Sequence, residues 1–231
     1  MKPTPNSLLT GQVIAQLSIL GMLFASPLQW SVTLGVYCLI MLGITIAYHR
    51  FWSHYSFEAS KWFVYPLTFF AHIMMVGPVI AWAAQHREHH RFADTEKDPH
   101  SPQYQGFIRS YFSQVKSVPR MKFATDLLRI DILKLQHRYY WHVIVAWAAT
   151  LFVIDPFALI YAWLAPAGFA KLIGSIVFVY SHRGGTPRSD HWLGLITLGE
   201  GYHEKHHDKP WKWNFHPLDV GGKLIWLFKH A

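Results

Sequence analysis

Three short histidine clusters set the chemistry open to this chain. They are His49-Arg50-Phe51-Trp52-Ser53-His54, His86-Arg87-Glu88-His89-His90 and His203-Glu204-Lys205-His206-His207. Neutral imidazole is a good ligand for iron, zinc, copper or nickel. The eight imidazoles of these clusters exceed what one four-coordinate ion can use. Two metals in one site is the simplest reading. The second and third clusters share the pattern His-x-x-His-His. On a helix, positions i, i+3 and i+4 lie on one face, so His86, His89 and His90 can converge, as can His203, His206 and His207. His49 and His54 are five apart, which fits a single helical face poorly. Their natural place is a helix end, with His49 on the last turn and His54 beyond it. Histidines (16) outnumber Asp plus Glu (13), which no ordinary surface would require.

Such clusters need elements to hold them, and the composition points to a membrane. Of 231 residues, 52% are apolar and 15% charged, a skew that favours membrane helices over a soluble domain. No charged residue occurs from Pro3 through Tyr48, and the run breaks near Ser26-Pro27-Leu28-Gln29-Trp30. Spans are predicted at 8–25 and 30–48, each long enough to cross the hydrocarbon core. A second uncharged run, Trp62 to Gln85, is interrupted by Pro66, His72, Gly77 and Pro78. A single crossing there would put the first two clusters on opposite sides of the membrane. It is therefore expected to lie along the interface or to re-enter. Residues 91–140 are polar and basic and read as short helices outside the membrane. Two further spans are expected at 141–155 and 157–181, with the turn at Asp155-Pro156 and Pro166 as a competing break.

The expected fold is an all-α membrane protein forming one domain over 1–231. It has about four transmembrane helices and a cytoplasmic helical cap, 49–140 and 182–231. The formal charge of +8 could suggest nucleic acid. Yet the basic residues flank apolar runs, where a positive-inside bias accounts for them, so no nucleic-acid partner is expected. Of 21 Lys and Arg, 12 fall in 50–140 and 7 in 183–231. Lys2 stands at the N-terminus. Lys171, alone inside a predicted span, should snorkel or face the interior. Cys38 lies within an apolar run and anchors no metal. The N-terminus lacks the pattern of a cleaved signal peptide, and none is expected.

The boxes with their flanks resemble those of the membrane fatty acyl desaturases of the acyl-CoA delta-9 type. That family has an H-x4-H box, an H-x-x-H-H box and a late box inside G-E-G-aromatic-H-x-x-H-H. Here Trp82-Ala83-Ala84-Gln85 precedes the second cluster and Gly199-Glu200-Gly201-Tyr202 the third. Asp94-Thr95-Glu96-Lys97-Asp98-Pro99-His100 also resembles the stretch after the family's second box. The resemblance implies four membrane helices, both termini in the cytoplasm, and two irons with dioxygen as co-substrate. It adds a ninth histidine after the fourth span, matched by His182. The implied metal ligands are His49, His54, His86, His89, His90, His182, His203, His206 and His207. The implied reaction is oxygen-dependent insertion of a cis double bond into a long-chain acyl substrate, acyl-CoA favoured over acyl-lipid. Electrons would come from a separate ferredoxin, rubredoxin or cytochrome b5 type donor. The expected setting is a bacterial inner membrane. Thr33 and Tyr37, about 24 and 18 Å from His49 at helical rise, could close a substrate tunnel and set chain length. Ordinary helix packing accounts for them equally well.

The chain departs from the family at Phe178, where an asparagine is common, at Gln85, often Asp, and at Glu204 and Lys205. Arg109 and Lys116 could hold a CoA phosphate by charge, as lipid headgroups could equally explain them. Three other readings compete. A lipid or acyl hydroxylase would use the same boxes. A zinc metalloprotease would use His203 and His207 as ligands and Glu204 as base. A haem-binding or metal-transporting protein would be no enzyme at all. His72, His137, His142, His191, His216 and His230 are expected to be hydrogen-bonded or solvated, with His100 a candidate to support a ligand.

Overall fold

The N-terminal apolar region folds as a helical hairpin capped by its own serines and threonines. The computed structural model describes residues 2–116 and 119–229, apart from the side chains of 113–116. Among these residues the secondary structure is helical, with no strand. In α1 (Pro5–Ser18) the Thr4 hydroxyl accepts from the Ser7 amide and the Ser7 hydroxyl from the Thr4 amide. Pro5 stands in the first turn, where its missing N–H is no loss. The helix tightens at its end to a 3-10 segment, Ile19–Phe24. In α2 (Pro27–Leu42) Ser26 and Gln29 form the same reciprocal cap. It runs on as a π-helix, Gly43–Ser53, through the first histidine cluster. Pro5–Phe24 and Pro27–Ser53 are both long and apolar enough to cross a membrane. The second exceeds the expected 30–48 because π-winding continues the helix past the first charge.

The run 62–85 does not form a span. Helix α3 (Lys61–Ile73) has 13 residues, about 20 Å at helical rise, short of a hydrocarbon core of about 30 Å. Pro66 sits inside it without ending it. The chain reverses instead at Met74–Pro78, where Met75 (φ 61°) and Gly77 (φ 100°) take left-handed conformations. Gln12 donates to the Met75 carbonyl at 3.0 Å and the Tyr48 hydroxyl to that of Gly77 at 3.1 Å. These bonds hold the reversal against α1 and α2. A Cβ on Gly43 would strike the backbone of Leu67 and Ala71, so α2 and α3 touch backbone to backbone. Helix α4 (Val79–Phe92) then carries the second cluster.

Helix α5 (Pro102–Lys116), kinked at Gly106, and α6 (Asp131–Arg138) are the short helices expected of the polar segment. Lys171 faces the interior: it is buried and donates to the Tyr111 carbonyl of α5 at 3.1 Å. The side chain of Lys116 lies outside the described residues, as does His230. Helix α7 (Tyr140–Ile154) is apolar but has 15 residues, and it is the shorter of the four apolar elements. It ends at Asp155, whose side chain accepts the Phe157 amide at 2.9 Å. Pro166 is no break. It lies in the first turn of α8 (Ala165–Ser181), directly after a π-helical lead-in, Ile160–Leu164. The chain stays helical through it, and Ile160–Ser181 forms the third long span.

The C-terminal segment closes over the helix ends with α9 (His191–Ile196), α10 (His203–Asp208) and α11 (Val220–Phe228). It is pinned by an ion pair buried on both sides. Arg50, within the first cluster, meets Asp219 at 3.0 Å and donates to the Trp213 carbonyl at 2.8 Å. Asp219 also accepts the amides of Phe215 and Gly222 and so caps α11. Removing one partner leaves the other charge buried alone. Asp219→Ala should therefore lower unfolding free energy by about 3–5 kcal/mol, read from denaturation of the purified protein. A loss below about 1 kcal/mol would show the pair to be dispensable.

Candidate metal centre

The three clusters and His182 arrive at one place from four helix segments. His49 and His54 come from the end of the π-helix. Its i→i+5 bonding, visible as the His54 amide on the His49 carbonyl at 3.2 Å, brings residues five apart together. Their rings lie 5.2 Å apart. A spacing awkward for an α-helix is thus natural for this one, and π-bulges of this kind favour functional sites. Arg87 locks the arrangement with its whole guanidinium. It donates to the Ser53 and Trp52 carbonyls at 2.7 and 3.0 Å, to Phe123 at 3.0 Å, and to both oxygens of Asp126. Glu88 pairs outward with Arg120.

The imidazoles divide into two groups. His49, His54, His86, His90 and His206 form one, and His89, His182, His203 and His207 the other. Within each, one ligand atom per residue lies within 4.8 Å of all the rest. Each His-x-x-His-His turn splits between them: the i, i+4 pair enters one group and the i+3 ring enters the other. The expected convergence of each triplet on a single point is replaced by an exchange. His89 of α4 joins the pair from α10, and His206 of α10 joins the pair from α4. His90 and His207 stack at 4.3 Å between the groups.

The nitrogens face each other in a way that suits a shared cation. His49 Nδ1 meets Glu200 at 2.7 Å, His89 Nδ1 meets Asp98 at 2.9 Å, and His182 Nδ1 meets Asp94 at 3.0 Å. A carboxylate on Nδ1 holds the proton there and leaves a lone pair on Nε2. These Nε2 atoms point inward. The separations include 2.9 Å for His49–His206, 2.8 Å for His54–His86, 2.6 Å for His90–His206, 2.7 Å for His182–His203 and 3.2 Å for His89–His182. Ligands about 2.1 Å from a metal and at right angles stand about 3 Å apart, so the donor set fits two transition-metal ions, one per group.

Electrostatics agree. His54, His86, His90, His203 and His206 are held well below the ordinary imidazole range, first by burial and then by charge on neighbouring groups. His207 is lowered for the same reasons. Burial pushes Asp98 up, but its bond to His89 and the amides of His100 and Asp94 more than offset this, leaving the carboxyl low. Glu200 likewise stays below its usual range despite burial, chiefly through His49. His100, behind His89, is held at about 3 by burial. Asp94, Asp98 and Glu200 were not singled out as supports from the sequence. Their signal was present: acids are scarce in this chain, and these three adjoin the boxes.

A recessed, mostly apolar cavity adjoins both groups. It is bordered by His86 and His203, by Glu200 and Gln85, and by side chains of α2, α8 and the Met74–Pro78 turn. Phe178 sits 5.2 Å from the His89 ring and 5.0 Å from that of His182, offering no donor where the family often has an amide. Thr33 and Tyr37 border a different groove, between α2, α8 and Ile196. Thr33 donates to the Tyr161 carbonyl at 2.6 Å and Tyr37 to that of Ile196 at 2.8 Å. Glu204 is exposed and belongs to neither imidazole group. His203 and His207 share their group with two more imidazoles. The metalloprotease arrangement, three ligands with a glutamate base facing an open position, is absent among the described residues. His72 is hydrogen-bonded, to the Tyr140 carbonyl and Gln136. Arg109 is exposed.

The family model for fatty acid desaturases matches residues 25–218. The chain is similar to a delta-9 desaturase-like 2 protein of Arabidopsis thaliana, 31% identical over 81% of this chain and 69% of that protein. It is similar to the plant's delta-9 acyl-lipid desaturase 2 at 31% over 77% of this chain and 64% of the relative. A chloroplastic palmitoyl-monogalactosyldiacylglycerol delta-7 desaturase of the same plant is 27% identical over 84% of this chain and 58% of its own length. The chain thus spans about two thirds of the length of these relatives.

Acid should unfold the metal-free protein early. Above the ordinary imidazole value, about 6.5, folded and unfolded chains both keep these rings neutral. Below it the unfolded chain takes up protons that the buried rings, with their depressed values, refuse. Stability therefore falls as pH drops from about 6.5 toward the folded-state values. The melting temperature of chelator-treated protein should decline steadily between pH 7 and 5; a flat profile would contradict the neutral, buried cluster.

Proposed function

The chain belongs to the fatty acid desaturase family, and from that membership we propose that it inserts a cis double bond into a long-chain fatty acyl substrate using dioxygen, two irons and external electrons. The observation that carries this reading is the double imidazole group opening on an apolar cavity. Nine imidazole nitrogen donors, with carboxylates on three of the remote ring nitrogens, suit iron as well as other borderline ions. His49, His54, His86, His90 and His206 would hold one ion, and His89, His182, His203 and His207 the other. Iron bound there supplies the activation of dioxygen that removing hydrogen from two unactivated methylenes requires.

The chain's own residues position and protect. Glu200, Asp98 and Asp94 keep protons on the outer ring nitrogens and fix the ring planes. The apolar cavity walls orient an acyl chain beside His86 and His203, so that reaction is confined to one stretch of it. Phe178 covers His89 and His182 and keeps water from that side. A CoA thioester is the proposed carrier; an acyl-lipid, the substrate type in the names of several plant relatives, is the other. Reduction falls to a separate one-electron carrier of ferredoxin, rubredoxin or cytochrome b5 type. The basic cap, with both termini, is assigned to the cytoplasm on the distribution of Lys and Arg.

Expression in a host lacking endogenous desaturation, followed by mass spectrometry of its fatty acids, tests the reading. A new monounsaturated product should appear and vanish in His89→Ala. Hydroxylated saturated products would move the assignment to a hydroxylase, and the lipid class labelled first separates thioester from lipid substrates. In the purified protein, Asp98→Ala should weaken metal affinity about 10–100-fold, read by chelator competition. Unaltered affinity would remove Asp98 from the support of His89.

A further inference from the structure

Helices α3 and α6 turn matching stripes toward one groove. On α3 the stripe is Tyr65, Thr68, Phe69 and His72, and on α6 with the residue after it Ile132, Leu135, Gln136 and Tyr139. Both follow the spacing i, i+3, i+4, i+7, which is one helix face. Trp52 and Val143 complete the walls. The groove encloses about 370 Å³, the size of a ligand pocket. It shares no bordering residue with the cavity beside the imidazoles. Ile132, Leu135 and Tyr139 are exposed there, whereas Leu133 of the same helix is buried in the core. The apolar stripe of α6 is thus left uncovered by protein.

The floor fixes the chemistry of what covers it. Both ring nitrogens of His72 are engaged, by the Tyr140 carbonyl and by Gln136. Gln136 also accepts the Val79 amide at 3.0 Å and donates to the Tyr48 hydroxyl at 2.8 Å. The Trp52 indole donates to the Thr68 hydroxyl, which donates to the Val64 carbonyl. None of these side chains is among the buried groups left without a partner, so the floor asks for hydrocarbon. The rim differs. Tyr65 and Tyr139 are exposed on it, and the Arg138 guanidinium lies 5.5 Å from the centre of the Tyr139 ring. Lys134 is paired with Asp131, but no ion pair engages Arg138 among the described residues. Tyr139 precedes α7, so this rim stands where an apolar helix meets the cap. Tyrosine and arginine at such a boundary sit at the level of lipid headgroups. One turn further into α7, Trp147 packs against Phe69 at 5.4 Å.

We infer that the groove between α3, α6 and α7 holds one acyl chain of an anionic membrane phospholipid, with its phosphate at Arg138. The lipid is a bound component of the fold and no substrate, and the inference stands apart from the desaturase reading. A phospholipid meets both demands at once, hydrocarbon along the floor and negative charge beside an unpaired cation. Gln136 gives the site its consequence. It ties α6 to Tyr48, the residue before His49, and to the first amide of α4, so a chain lying over it shields bonds that hold two histidine clusters.

The test titrates detergent-purified protein with phosphatidylglycerol or phosphatidylcholine of identical acyl chains and counts bound lipid by native mass spectrometry. Wild type should bind one phosphatidylglycerol about fivefold more tightly than phosphatidylcholine, the gain expected of one cation beside an anionic lipid. Arg138→Gln should bind both alike. Leu135→Trp fills the groove and should lose both, and Ile132→Trp should do the same if the first variant does not accumulate. Ile108→Trp, at an exposed position on α5, should match wild type. Equal affinity of wild type for the two lipids overturns the inference. So does wild-type lipid retention in the groove-filling variants, or an equal loss in Ile108→Trp. A wild-type dimer that separates in Leu135→Trp would assign the groove to a second copy and overturns it too. None of these readings requires double-bond formation, so failure of the desaturase reading leaves the result intact.

Discussion

The site depends on nine imidazoles facing one another at close range, five of them buried and four half-buried. Nε2 atoms from separate segments stand within hydrogen-bonding distance of each other, while carboxylates occupy the far side of three of the rings. Such an arrangement is unfavourable unless a cation collects the lone pairs. Each His-x-x-His-His turn therefore contributes to both groups, because a single helix face cannot surround one ion. α4 and α10 are joined twice, once through each group, and neither can shift without disturbing both. The buried Arg50–Asp219 pair and the Arg87 clamp act on the same elements from outside. They hold the end of α2 to the C-terminal segment and to α4.

This explains why so much non-α geometry collects around the site. π-winding ends α2 at the first cluster and precedes α8, the helix that carries His182. The first of these brings His49 and His54 into the same imidazole group. The reversal at Met74–Pro78 sends α4 back to the side on which α2 ends, so two clusters separated by an apolar run share one compartment. The run itself is spent on α3, packed backbone to backbone on α2 through Gly43.

Much of this could be read from the chain before its structure. The uncharged runs, the Asp155-Pro156 turn and the non-crossing run 62–85 follow from composition, charge and the need to unite the clusters. The nine histidines were legible through spacing and family resemblance. What was not legible is tertiary. Residues at i, i+3 and i+4 share a face, but whether they serve one point or two depends on the helix opposite. A proline such as Pro166 marks a break or a first turn according to what precedes it. Asp94, Asp98, Glu200 and Asp219 carry no periodic signal, and their roles appear only when distant segments meet. The groove between α3 and α6 is likewise a property of the space between helices, which no local pattern records.

Two metal ions in one histidine-lined chamber are the central proposal for this site. Elemental analysis of the purified protein measures this most directly. Two equivalents of iron per chain, with little zinc, is the predicted result. One metal ion per chain, or zinc in place of iron in protein that still forms product, would contradict it.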